Sequence, residues 1–213
     1  MSLPRSFEVI ELGLKTYPEA LSLQQKYVAE RLSGKIKDRL LIVEHPPVIT
    51  EGRQASSADF FFAPAYYQAK GVEIHKTNRG GRLTYHGPGQ LVAYFIFSLN
   101  DRKLSVPQFV ENVEKVIMAV LREFQIKGAT IQGMPGIFVG HKKIASLGFH
   151  IHKGVSMHGI AINVHNDLTP FSWFNPCGMP ESYQITSMAQ ELAKPISLSQ
   201  VTQSLVAMLS CYF

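Results

Sequence analysis

Apolar residues recur along this chain with two periods, and each period implies a different element. Spacing by three and four residues is cleanest over residues 106–124. There Phe109, Val110, Val113, Val116, Ile117, Val120, Leu121 and Phe124 make one continuous stripe, the pattern of a helix that buries one face. A last helix is predicted from near Ser197, with Leu198, Val201, Leu205, Val206 and Leu209 on its apolar side. Another is predicted between Thr16 and Gly34. Thr16 is its cap, Pro18 lies in its first turn, and Leu21, Tyr27, Val28 and Leu32 supply a looser apolar face. Residues 6–13, 72–74 and 91–97 read as strands, and the apolar run 40–43 halts at His45-Pro46-Pro47, where two prolines stop any regular element. Residues 137–139, 144–152 and 157–164 are alternating segments punctuated by Gly136, Gly140 and Gly154, and they read as successive antiparallel strands. Strands and helices mix without strict alternation. The expected fold is therefore α+β, one mixed or antiparallel sheet with helices packed on it.

Composition narrows the class. The 213 residues fit a single domain, 1–213, and 46% apolar with 17% charged residues supports a real core rather than a disordered chain. Two cysteines make neither a disulfide framework nor a Cys-only zinc site. The longest apolar run, 91–97, falls far short of the roughly 20 residues that span a bilayer. The first twenty residues hold Pro4, Glu8, Glu11 and Pro18 and no apolar block, so no secretory signal is read there. A reduced, soluble, cytoplasmic protein with no membrane association is expected. The net charge of +5 favours acidic partners only weakly. No clustered basic run or RNA-binding aromatic motif accompanies it, so no nucleic-acid partner is expected.

Three stretches carry candidate chemistry. Residues 79–90 hold four glycines among Arg79, Thr84, Tyr85 and His86, followed by the apolar run 91–97. Glycine permits close backbone approach, so this is either a ligand cradle or an ordinary glycine-rich hairpin. It matches neither a P-loop nor a dinucleotide fingerprint. Residues 141–148 place Lys142 and Lys143 at the start of an apolar strand. A lysine desolvated there has a lowered pKa and can shuttle protons; a solvated one is an ordinary turn residue, the reading preferred for Lys142. In the third stretch Cys177 stands between Pro176 and Gly178, in a loop where a thiol can be exposed, whereas Cys211, beside Leu209 and Tyr212, reads as packing. A nucleophilic thiol needs a cation or base nearby, and Lys143 and the histidines are the candidates. His150 and His152 share a strand face but have no third ligand at convincing spacing, so no metal is expected.

Taken together, these stretches resemble the lipoate-protein ligase B family, the octanoyltransferases. Its signature, R-G-G-x-x-T-aromatic-H-x-x-G-Q followed by a tyrosine, is met by Arg79, Gly80, Gly81, Thr84, Tyr85, His86, Gly89, Gln90 and Tyr94. His45-Pro46-Pro47-Val48 precedes it. Residues 143–148, 158–164, Asp167-Leu168, Phe171, Pro176-Cys177-Gly178 and Thr186-Ser187 follow in the family's order. The likeness covers about residues 40–190. Departures are Ile49 in place of an aromatic residue, Phe174 in place of a smaller aliphatic one, and His165 in place of asparagine.

The resemblance implies a biotin/lipoate protein ligase-like fold and transfer of octanoyl from acyl carrier protein to a lysine of lipoyl domains. Those domains belong to 2-oxo acid dehydrogenase complexes and the glycine cleavage H protein. It implies Cys177 as thioester-forming nucleophile and Lys143 as its partner. Arg79, Gly80, Gly81, Arg82, Leu83, Thr84, Tyr85, His86, Ser146, Leu147, Gly148, Gly159, Ile160 and Ala161 would line the acyl pocket. No cofactor is implied, because a thioester donor is already activated. The alternative within the superfamily is an ATP-dependent lipoate- or biotin-type ligase.

Overall fold

The structure, a computed structural model of the chain, describes residues 6–176 and 183–213. In chain order the elements are β1 (Phe7–Leu14), α1 (Tyr17–Leu32), β2 (Asp38–Glu44), β3 (Val48–Glu51), α2 (Pro64–Ala69), β4 (Glu73–Lys76), β5 (Leu83–His86) and β6 (Gln90–Ile96). They continue with α3 (Val106–Glu123), β7 (Ala129–Ile131), β8 (Met134–Val139), β9 (Lys142–His152), β10 (Val155–Asn163), β11 (Gln184–Ile185), α4 (Met188–Leu192) and α5 (Leu198–Tyr212). The main sheet runs β1-β2-β6-β10-β9-β8-β7, with β11 added beside the start of β9. It is antiparallel except where β1 meets β2 and β11 meets β9. The fold is α+β as the sequence implies, but a single sheet is incomplete: β4-β3-β5 form a second, three-stranded sheet.

The helices start where local chemistry satisfies their free amides. Thr16 caps α1, and the Glu19 carboxylate accepts from the Thr16 N–H at 3.0 Å. Ser105 and Gln108 make the reciprocal box at the start of α3. Gly34, at φ +71°, takes the left-handed turn that ends α1.

β6 is buried throughout, which is why its sequence is a continuous apolar run. Alternate residues still face opposite ways. Leu91, Ala93 and Phe95 join the core under α3 and α5, while Val92, Tyr94 and Ile96 face α1. The face of α1 is largely the one the apolar spacing suggests, with Val28 buried and Leu21 and Tyr27 packed beside it, but Leu32 is exposed and Gln24 is buried in its place. The reason lies across the sheet at His158. This β10 residue has φ +61°, so its N–H leaves the ladder and is met by Gln24 Oε1 at 2.9 Å. Cys211, read as packing, is instead exposed on α5.

The glycine-rich segment is not a hairpin. β5 pairs with β3 in the small sheet and β6 with β2 and β10 in the large one. The turn Gly87-Pro88-Gly89 carries the chain from one sheet to the other. Gly89 has φ +83°, and a Cβ there would lie 2.5 Å from His165 Nδ1.

Candidate active site

The passage between the two sheets opens a cavity of about 200 Å³. The small sheet and the loop before β5 contribute Thr50, Arg79, Gly81, Arg82, Thr84 and His86. The large sheet contributes Val92, Tyr94, Ser146, Leu147, Gly148, His158, Gly159, Ile160 and Ala161. Tyr17 of α1, Gln54, Gly133 and Pro135 complete the wall. Of the residues expected to line a pocket, Gly80, Leu83 and Tyr85 stand behind it. The Gly80 N–H donates to Phe149 O at 3.0 Å and ties the glycine loop to β9. Leu83 bridges to Pro176, and the Tyr85 ring packs edge-on against Phe171 in the core of the small sheet.

Close approach explains several glycines here. A Cβ on Gly52 would lie 2.2 Å from Gly81 O, and one on Gly159 only 1.9 Å from Ala93 O. These positions let the glycine loop and β10 sit directly on neighbouring backbone, so the cavity wall is partly bare main chain.

The polar groups of the wall are held in defined states. Arg79 is buried, and its guanidinium donates to the Thr50 hydroxyl at 3.1 and 2.9 Å, to Thr50 O at 2.5 Å and to Gly80 O at 3.0 Å. His86 donates from Nδ1 to Gln90 Oε1 at 2.7 Å, and His158 from Nε2 to Asn78 Oδ1 at 2.6 Å. His45, behind them, donates from Nδ1 to Lys15 O and accepts the Tyr94 hydroxyl at Nε2, 2.7 Å away. Burial pushes His86 and His158 down to about 3 and lowers His45; nearby His45 and Arg79 reinforce the shift at His86, and Arg79 that at His158. Burial raises Tyr17 to about 12 and Tyr94 well above its ordinary value. Near neutrality the wall therefore presents neutral imidazoles, protonated phenols and two guanidiniums, the anchored one of Arg79 and that of Arg82, which pairs with Asp59 at 2.9 Å. The Thr84 hydroxyl is buried in this wall with no hydrogen-bond partner among the described residues.

β9 links the cavity to Lys143. Ser146, Leu147 and Gly148 line the wall, and Lys143 lies three residues earlier on the same strand, 2% exposed. Its ammonium is 5.8 Å from the centre of the Phe138 ring. Its stem crosses Gly136, where a Cβ would come within 2.5 Å of Lys143 Cε. Lys142 behaves differently: it is half-exposed and pairs with Glu191 at 2.6 Å. Lys143 is thus not the solvated turn residue that was its other reading.

Cys177 lies outside the described residues. Those flanking that stretch are well anchored. Pro176 bridges to Leu83, Asn175 N donates to Asp59 O at 2.8 Å, and the Tyr183 ring packs edge-on against Phe138. His150 and His152 stack with centroids 6.5 Å apart. Among the described residues, no three His, Cys, Asp or Glu side chains come together as a metal-binding group. No described helix is long and apolar enough to cross a membrane.

Tyr17, Thr50, Gln54, Val92, Tyr94, Gly133, Pro135 and His158 were not expected in the wall. Thr50 and Gln54 enter through pairing between distant segments, and His158 through a left-handed backbone residue inside a strand. Neither leaves a local signature in the sequence.

A mixed sheet with a small second sheet folded over one end defines the class: the fold is that of the lipoate and biotin protein ligases. An archaeal bi-partite lipoate protein ligase from Thermoplasma acidophilum, described with its E2 lipoyl domain, superposes with a TM-score of 0.76 at 17% identity. The match covers 98% of this chain and 84% of that one. Biotin protein ligase from Aquifex aeolicus gives 0.55 at 13% identity over 96% and 68%. At such identities these likenesses speak for the fold alone. The chain belongs to the lipoyl protein ligase A/B catalytic domain family, whose profile matches residues 16–210. An octanoyltransferase from Alkaliphilus metalliredigens is 39% identical over 206 residues, 96% of this chain and 94% of that protein. One from Cellvibrio japonicus is 38% identical, covering 97% and 92%. With such relatives over nearly its full length, the chain is an acyltransferase.

Proposed function

We propose that this chain, acting as one catalytic domain over residues 1–213, moves an octanoyl group from acyl carrier protein to a specific lysine of a lipoyl domain through a thioester on Cys177. The observation that carries the reading is the cavity. It is walled by glycine backbone and neutral histidines, and it shares a strand with a buried lysine. Such a wall suits an uncharged acyl chain. Burying one contributes up to about 0.8 kcal/mol per methylene before binding costs.

The Cys177 thiolate attacks the donor carbonyl. A C–S bond to the enzyme forms, the bond to the carrier sulfur breaks, and the departing carrier thiolate takes a proton from the Lys143 ammonium, which leaves that lysine neutral. The acceptor ε-amine then attacks the acyl-enzyme, an amide forms, the Cys177 thiolate is released, and the amine's proton passes to Lys143. No ATP is consumed, because the donor is a thioester. Two half-reactions through one covalent intermediate give ping-pong kinetics. Acyl carrier protein is acidic, so the net charge of +5 assists docking and makes the rate fall with added salt. The acceptors are lipoyl domains of 2-oxo acid dehydrogenase complexes and the glycine cleavage H protein, modified in the cytoplasm.

The test is octanoyl transfer to a lipoyl domain without ATP. Cys177→Ala and Lys143→Ala should each lower the rate at least about a thousandfold while leaving the unfolding transition in place. Full activity in either variant removes that residue from the mechanism. A requirement for ATP and Mg²⁺, with activity surviving Cys177→Ala, replaces this reading with the ATP-dependent ligase.

A further inference from the structure

A buried chain of hydrogen bonds joins the cavity wall to the strand bearing Lys143, and its middle member, Asn163, is not one of the residues of that wall. His86 donates to Gln90 Oε1 at 2.7 Å. Gln90 Nε2 donates to Asn163 Oδ1 at 2.9 Å and to Tyr85 O at 3.1 Å. Asn163 Nδ2 donates to Thr186 O at 3.0 Å, and Thr186 N donates to Lys143 O at 2.9 Å. Asn166 Nδ2 also donates to Asn163 Oδ1, at 3.3 Å. His86, Gln90, Asn163, Thr186 and Lys143 are all buried. The links come from five separate parts of the chain: β5, β6, the end of β10, the loop after β11, and β9.

We propose that Asn163 is a positioning residue, holding the Thr186 segment against β9 so that Lys143 stays in register with the cavity wall. The proposal rests on Lys143 acting as the proton carrier. At Lys142 and Lys143 one edge of β9 is held by β8, just past an irregularity in that ladder, and the other edge by β11, which is only two residues long. Asn163 presents an acceptor to Gln90 and a donor to Thr186 at the same time, and an amide does both where an isosteric carboxylate accepts only. Removing it leaves Thr186 O and one Gln90 N–H bond unsatisfied in a buried site.

The experiment compares the full-length wild type with Asn163→Leu and Asn163→Asp. Octanoyl-acyl carrier protein is the donor and a lipoyl domain the acceptor; kcat, KM and amide hydrogen exchange at Thr186 are measured. Asn163→Asp keeps the shape and the acceptor toward Gln90 while losing the donation to Thr186 O, so it carries the test if Asn163→Leu does not fold. The expected result is a fall in kcat of about ten- to hundredfold, with KM for the donor within about twofold and faster exchange at Thr186. Unchanged exchange overturns the proposal, because the chain then does not hold the segment. Faster exchange with wild-type kcat overturns it too, because the register then does not matter to the reaction. A rise in KM alone also overturns it, by assigning Asn163 to binding. If the wild type itself transfers no octanoyl without ATP, the proposed function falls and takes this inference with it; the other outcomes leave that function standing.

Discussion

The two faces of the main sheet are built on opposite terms. Under α3 and α5 the contacts are chiefly apolar, with the Ser204 hydroxyl of α5 donating to the Glu123 carboxylate of α3 as a polar exception. Phe109 is fully buried, with its ring 4.9 Å from Phe149 and 6.1 Å from Phe95. On the other face, beside α1 and under the small sheet, the same strands bury His45, His86, His158, Arg79 and Gln24. One face lowers the free energy of the fold by removing apolar surface from water. The other holds polar groups that stabilise little and must each be satisfied. The lesson is that β6 and β10 carry both kinds of environment at once, one on each side of the same backbone. Stability and chemistry are separable here by residue parity.

That separation is open to test. The largest effect on stability is expected from Phe109→Ala, which should lose about 3–5 kcal/mol in denaturant unfolding. The fraction still folded should retain wild-type specific activity. A specific loss of activity at unchanged stability would break the division between the faces.

Gly159→Ala is the intermediate case. Its new methyl would lie 1.9 Å from Ala93 O, so β10 must move away from β6 at about 1–3 kcal/mol. Because Gly159 is also cavity wall, transfer should fall further than the lost stability explains. Activity that merely follows the folded fraction would count against the cavity as acyl site.

Smallest over any single pH unit, though it accumulates, is a pH dependence. His86 and His158 fall from the ordinary 6.5 to about 3 on folding. Between those values the unfolded chain binds more protons than the native one. Stability is therefore fully present above pH 6.5 and is lost as pH drops toward 3, by about 1.4 kcal/mol per pH unit for each histidine at most. His86→Asn should flatten the slope between pH 6 and 4 by close to one proton. An unchanged slope would mean that His86 is protonated in the native state.

Much of the first face was legible in sequence. A helix that buries one stripe needs only its own three-and-four spacing, so α3 matches 106–124 to within a residue. The strands of 137–164 were legible because glycines separate them. Of the small sheet only β4 was, through the strand read at 72–74. β3, β4 and β5 have four residues each, β3 and β5 follow the prolines and glycines that read as breaks, and β5 pairs backwards along the chain rather than with β6. The glycine loop and the segments near 146–148 and 159–161 were singled out as motifs, and most of those residues meet at one cavity. Tyr17, Thr50 and Gln54 meet there too, because of pairings that no local spacing records. The inversion at His158, which swaps Gln24 for an apolar residue on α1, is likewise a tertiary demand written against local propensity.

The central claim is covalent transfer through Cys177, and intact mass tests it most directly. The protein is mixed with octanoyl-acyl carrier protein without ATP, beside Cys177→Ala, and each sample is weighed with and without hydroxylamine. The account predicts an octanoyl-sized increment on the wild type, released by hydroxylamine and missing from the variant. A folded wild-type protein that gains no mass while the donor stays intact would contradict it.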